Sequence, residues 1–403
     1  MFRAMLFVLS AAAAQAASSD AKLNALRATL TSMRGTQMRN IENGAPRGAT
    51  SQLTTAKHQL RDWIESRLPE LGDRDNPGTF ESRLNSELGA AGLMFDPAHA
   101  SASDPWSMEY LGYLNPVRVQ RRSAFVVVVT SLGIQCGEDE SAYVYLWSGD
   151  GWQRVLQNEQ NDYTEKGYKP QFLSDVVISP WNLSNNYVAL TLGTQTWCAS
   201  VWHDIYYRAF RLGGDPLARP LVSGEENANI GDDPPIHGSV TTDDVLIQYD
   251  GHSIDSGILV RQHVRHYRID GPEAQRIDPL ALRPRDFVDE WLTHDWKEAA
   301  FWSESANRVG MLAWHKKLHK DNVYGEFIYP TMHCPATPDL WQVGVDFSDP
   351  PTPIGEPPKR GGYFTVRWRP PYKFSMVGVT DTPSAACNRE DREADDAPQT
   401  LFR

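Results

Sequence analysis

FVVVVTSLGIQC, Phe125 to Cys136, followed by YVYLWSGDGWQRVL, Tyr143 to Leu156, decides the reading of this chain. The first segment is a continuous apolar, β-branched run of strand length, the pattern of a strand buried on both faces. The second holds two alternating runs around Ser148-Gly149-Asp150-Gly151, where Gly and Asp accept the positive φ of a tight hairpin. The arrangement returns as YVALTLGTQTWC (Tyr187 to Cys198) with IYYRAFRLGGDPLARPLV (Ile205 to Val222). It returns again as DVLIQYDGHSI (Asp244 to Ile254) with VRHYRIDGPEAQRIDPL (Val264 to Leu280). An arginine follows each turn, at Arg154, Arg219 and Arg276, and is read as a structural residue of the repeat that pairs with a neighbouring unit.

Cys136 and Cys198 lie 62 positions apart, Arg154 and Arg219 lie 65 apart, and Arg219 and Arg276 lie 57 apart, so the period is close to sixty. Four strands with extended loops fill that length. The expected fold is therefore mainly β, built of repeated β-sheet units that resemble propeller blades, behind an N-terminal helical segment. A β-sandwich-like two-sheet assembly is the alternative. The repeated β domain is expected over 105–387, with units near 108–160, 171–223, 236–282 and 303–347 and closing strands at 363–379. In the fourth unit VGMLAW, Val309 to Trp314, takes the place of the inner strand.

Outside the repeat the period changes to that of a helix. Leu23, Leu26, Leu30 and Met33 recur at helical spacing, as do Leu53, Leu60, Trp63, Ile64 and Leu68, and as do Phe80, Leu84 and Leu88 behind an expected N-cap at Thr79. These helices form the 17–95 segment. A further helical interruption is expected from Pro284 to Trp302. The end of the chain, 388–403, reads as an acidic, disordered tail.

Residues 1–16 read as a secretory signal peptide: Arg3, the short apolar run Ala4 to Ala14, then Ala14-Gln15-Ala16. No stretch is long and apolar enough to span a membrane. A secreted or periplasmic location is expected. There an even number of cysteines favours disulfides, and the preferred pairing is Cys136 with Cys198, which end equivalent strands, and Cys334 with Cys387. A formal charge of -12 argues against a nucleic-acid partner.

No nucleophile elbow, HExxH, phosphate loop or calcium loop is present, so no cofactor is expected and no metal. His315 and His319 in WHKKLHKD, with His333 downstream, lack a full ligand set. The basic run RQHVRHYR, Arg261 to Arg268, reads as the solvated outer face of a strand. The best polar and aromatic constellation is TQTWCASVWHD, where Trp197, Trp202, His203 and Asp204 surround Cys198 and offer a stacking face beside an acid/base pair. Packing between sheets accounts for the same residues and is the preferred reading. The functional expectation is an exported β-repeat binding or scaffold module that meets a glycan or a protein. Two alternatives stand beside it: an extracellular carbohydrate-acting hydrolase, and an envelope assembly component using an open apolar stripe on Leu53, Leu60 and Ile64.

Overall fold

The computed structural model describes residues 19–34, 47–96, 111–134, 137–160, 171–180, 186–195, 201–229, 231, 236–255, 259–277, 281–320, 324–348, 360–369 and 373–395. The chain divides into two compact units, Met1–Glu225 and Glu226–Arg403.

The first unit opens with helices α1 (19–34), α2 (Arg47–Arg67) and α3 (Pro77–Ala90). The cap of α3 lies three residues before the expected Thr79: Asn76 accepts from the Gly78 N–H at 2.9 Å, and Pro77 takes the first helical position. The helices are followed by β1 (Leu114–Arg122), β2 (Phe125–Ile134), β3 (Gly137–Trp147) and β4 (Trp152–Asn158), an antiparallel meander. Next come β5 (Gln171–Ile178), β6 (Tyr187–Gln195), β7 (Trp202–Leu212) and β8 (Val222–Asn229), and the division between units falls inside β8. The deciding run is as expected: all ten residues of β2 are buried. One face of the first sheet carries Val126, Val128, Leu132, Tyr143 and Tyr145 against the helices. The opposite face carries Phe125, Val127, Val129, Ala142 and Val144 against Leu173, Val176, Tyr187, Ala189 and Phe210 of the second sheet.

Leu53, Leu60 and Ile64 are fully buried in this helix–sheet core, so the open stripe invoked for an assembly partner does not exist. Polar contacts fix the same interface. Lys57 Nζ sits 2.8 Å from Asp139, both side chains being fully buried, and Arg154 reaches Glu65 on α2. A buried pair of this kind repays its desolvation only with good geometry, so its clearest effect is on register: sliding α2 would strand both charges.

The second unit begins with β9 (Ile236–Val240), β10 (Asp244–His252), β11 (Val260–Asp270) and β12 (Glu273–Ile277), again an antiparallel meander. The helical interruption is present as two helices, α4 (Pro284–Thr293) and α5 (Trp296–Phe301). Next is α6 (Arg308–Lys320), which corrects the expected fourth copy: VGMLAW is helical. Its bulky residues are compatible with either period. Packing of Met311 and Leu318 with Trp291 and Ala299 selects the helix. The third sheet is β13 (Tyr324–Ile328), β14 (Met332–His333), β15 (Leu340–Ser348), β16 (Arg360–Arg369), β17 (Lys373–Thr380) and β18 (Arg389–Glu390), ahead of a short helix α7 (Arg392–Asp395).

The fold is thus mainly β, with repeated antiparallel sheets behind N-terminal helices. The turn glycines of the three copies, Gly149, Gly213 and Gly271, all take positive φ, as the hairpin chemistry requires. Cys334 is disulfide-bonded to Cys387, whereas Cys136 and Cys198 lie outside the described residues. The start of the expected free tail is tied down: Asp395 accepts from Thr331, and Trp341 donates to Asp391. Residues 1–16 lie outside the described residues, and among those described no helix is long and apolar enough to cross a membrane.

Candidate functional site

In the first unit a cleft opens between the edge of the first sheet and β5, lined by Arg118, Gln120, Val127, Val129, Ser174 and Asp175 among others. Two irregularities shape it. On β1 the register with β2 shifts between Asn115 and Arg118, around Pro116, which has no N–H to give the ladder. Helix α3 covers that edge: the Asn85 side chain both accepts from Val117 N–H at 2.8 Å and donates to its carbonyl at 2.9 Å, and Glu81 accepts from Val119 N–H. On β5 the register shifts between Leu173 and Asp175, so Ser174 is the extra residue of a bulge. Its Oγ is buried beside the cleft and has no hydrogen-bond partner.

Glu140 of β3 stitches the two sheets behind this cleft. Its Oε1 accepts from Arg118 Nη2 at 2.8 Å, and its Oε2 accepts from the Leu173 N–H at 2.6 Å. Burial pushes the carboxyl up to about 7, and Glu138 on the same strand adds to the rise; Arg118 and the Leu173 amide offset only part of it. Glu138 itself accepts from Ser131, which accepts in turn from Asn115. Arg118 is two-fifths exposed, and both of its bonds, to Glu140 and to the Leu173 carbonyl at 3.5 Å, are made by Nη2. Among the described residues Nε and Nη1 make no hydrogen bond. At the rim Asp175 pairs with Arg122 at 3.3 Å.

A second polar cluster, in the second unit, is closed. Arg261, His263 and Arg265 of β11 are buried rather than on a solvated face, which corrects the reading of RQHVRHYR. They point at α4. Arg265 is 2.9 Å and Arg261 3.1 Å from Glu290, His263 Nδ1 is 3.0 Å from it, and Arg261 also holds Asp289 at 3.1 Å. Burial works to raise Glu290, but Arg265, Arg261 and His263 outweigh it and hold the carboxyl well below the usual range. An anion locked in this way is a structural counter-ion, not a proton donor. The alternation of RQHVRHYR was legible; that its charged side faces inward is decided by the two acidic residues arriving from α4.

The sequence-chosen site is only partly described. Trp197 lies outside the described residues, together with Cys198. His203 is buried, with Nδ1 2.7 Å from the Gln195 carbonyl across the β6–β7 hairpin, while Trp202 and Asp204 are half-buried on the same strand. His315 lies buried on α6, with Nε2 2.9 Å from the His294 carbonyl and edge-on to Trp291. Among the described residues no three His, Cys, Asp or Glu side chains converge to hold a metal ion. The Glu140 cleft was missed because its parts come from β1, β3 and β5; the only local signal was GEDE, Gly137 to Glu140, an acidic run at the end of a buried strand.

Two of the three repeat arginines make ion pairs. Arg154 pairs with Glu65 and Arg276 with Glu298 at 3.3 Å, whereas Arg219 is exposed. The pairs are with helices, not with the next copy of the repeat.

No family model and no curated protein matches this chain. Among solved structures, it is similar to an α-L-arabinofuranosidase of Fusarium graminearum in complex with an iminosugar inhibitor, at 10% identity over 73% of this chain and 71% of that one, with a TM-score of 0.23. The same organism's arabinofuranosidase in complex with arabinobiose matches at 8% identity over 66% of each chain, TM-score 0.22. A glycosyl hydrolase from Bacteroides ovatus matches at 11% identity over 66% of this chain and 87% of that one, TM-score 0.16. At these scores the likeness establishes no shared activity.

Proposed function

We propose that this chain is an exported β-repeat binding module whose ligand site is the Arg118–Ser174 cleft, and that its partner is a glycan. The observation that carries the reading is the cleft itself: a small depression where Arg118, Gln120, Ser174 and Asp175 stand beside the edges of Val127, Val129 and Val176, and where Nε and Nη1 of the part-exposed Arg118 make no hydrogen bond among the described residues. Export is supported by the Cys334–Cys387 disulfide, since such bonds persist in oxidising compartments. The test is a glycan array carrying both neutral and acidic saccharides, probed with the full chain. Binding that is lost in Ser174→Phe, which fills the cleft, supports the proposal, and silence across the array refutes it.

A carbohydrate-acting hydrolase is the second reading, favoured by one observation: a buried Glu140 that titrates at about 7 has the protonation behaviour of a general acid. It requires a second carboxylate to act with it. Release of reducing ends from a polysaccharide panel, abolished in Glu140→Gln, is the expected result under that reading; no release from any member refutes it.

A further inference from the structure

In the closed cluster of the second unit, both ring nitrogens of His263 face atoms that only accept hydrogen bonds. Nδ1 stands 3.0 Å from Oε1 of Glu290 on α4, and Nε2 stands 2.9 Å from the carbonyl oxygen of His252, the last residue of β10. A neutral imidazole carries one N–H and an imidazolium carries two. Glu290 has no proton to lend, because Arg265 and Arg261 hold it ionised. We propose that His263 is a proton-operated clamp: as imidazolium it joins the end of β10 to α4 through both bonds, and as neutral imidazole it must give one of them up. The device lies within the second unit and is independent of the Arg118 cleft.

The surroundings fix the ring between these two acceptors. Tyr249, its cross-strand partner on β10, lies nearly parallel to it, with centroids 5.2 Å and planes 7° apart. Gly251 leaves the room that the ring needs: a Cβ there would stand 2.7 Å from Cδ2 and 2.9 Å from Nε2 of His263. The charged groups around the ring are Glu290 from α4, with Asp289 beside it on Arg261, and Arg261 and Arg265 on its own strand. Behind them Glu226 of β8 pairs with Arg265, and Arg276 of β12 and His294 approach the second oxygen of Glu290 at 3.9 and 3.2 Å; the imidazole of His252 is exposed. Burial, and then the charge of Arg261, lower the affinity of His263 for its second proton, and Glu290 restores only part of it, so the clamp closes below the ordinary value of 6.5. A folded value below the unfolded one means that this group's contribution to stability is full above 6.5 and declines on acidification, although the same proton closes the clamp in the folded chain. The clamp is therefore read locally and not from global stability.

The experiment follows the ring nitrogens of the full chain, labelled in histidine, by NMR between about pH 8 and about pH 4.5. The backbone amide of Ser253, whose nitrogen is bonded to the His252 carbonyl carbon, reports the bond at that carbonyl. The expected result is that His263 titrates below 6.5, with one bare nitrogen far downfield at neutral pH and two protonated nitrogens resonating together in acid, and that the Ser253 amide moves with the same midpoint. His263→Gln abolishes the Ser253 movement while His252 and His294 still titrate. Gly251→Ala, whose methyl group pushes the ring from the carbonyl, lowers the His263 midpoint by about one unit, a tenfold loss of proton affinity. A His263 that keeps one bare nitrogen, or two protons, through the whole range overturns the proposal, as does loss of the folded spectrum before His263 titrates. A Ser253 movement that persists in His263→Gln overturns it as well, since it then belongs to His252 or His294. Should His263→Gln fail to fold, the unsubstituted chain and Gly251→Ala decide between the same outcomes.

Discussion

Replacing Glu140 by Gln makes the first unit less sensitive to rising pH, by an amount the structure sets. The carboxyl is almost wholly buried between two sheets and titrates at about 7, against 4.5 for an ordinary glutamate. Because the folded value lies above the unfolded one, the protonated form is favoured by folding, and full stability is present below pH ~4.5. Between 4.5 and 7 the unfolded chain ionises while the folded one does not, and stability falls, levelling off above 7. At about 1.4 kcal/mol per pH unit the loss comes to about 3 kcal/mol. Gln resembles the protonated acid, with one acceptor oxygen facing two donors, the Arg118 guanidinium and the Leu173 N–H, so a constant offset of about 1 kcal/mol is expected at every pH. The informative quantity is the change in the difference between variant and wild type. Urea unfolding at a series of pH values, read by hydrogen exchange of β2 and β3 peptides so that this unit is followed by itself, should show Glu140→Gln gaining about 3 kcal/mol on the wild type between pH 4.5 and 8. Parallel profiles would refute the argument, because they would mean that the carboxyl ionises as readily folded as unfolded.

The remaining predictions concern other parts of the molecule. Glu290→Gln should destabilise the second unit by about 3–5 kcal/mol at neutral pH, since it leaves Arg261 and Arg265 buried without their shared anion. Its sign with pH is opposite to that of Glu140: the folded carboxyl is held below the unfolded value, so its contribution is present above ~4.5 and is lost on acidification through the lower folded value, where variant and wild type should converge in urea unfolding. Leu60→Ala removes a fully buried side chain from the helix–sheet core and should cost about 3–5 kcal/mol, with the loss appearing in exchange of both α2 and β2 amides. If only α2 responds, the two do not share a core. Reducing Cys334–Cys387, which closes a loop of 53 residues, should cost the second unit about 4 kcal/mol, and non-reducing peptide mapping should recover that pair. The same map tests the expected Cys136–Cys198 link, which a crossed pairing would eliminate.

Local chemistry in the chain was sufficient for the strands, the turns and the amphipathic helices. A run such as FVVVVTSLGI has no polar side to offer solvent, and a Gly at a positive-φ turn has few substitutes, so β2 and the three hairpins could be written down from period and turn residues alone. The helix from Arg308 to Lys320 could not, because VGMLAW satisfies either period, and the choice belongs to its contacts with Trp291 and Ala299. Nor could the facing of RQHVRHYR, since a basic run is solvated or buried according to whether acids meet it, and Asp289 and Glu290 lie more than twenty residues away. Sequence by itself thus determined which segments bury apolar surface and where the chain turns. Tertiary structure decided which charges are buried and which remain available: Arg118, Glu140 and Ser174 become one site only when β1, β3 and β5 meet, for a pKa and a free donor are properties of surroundings and not of a residue type.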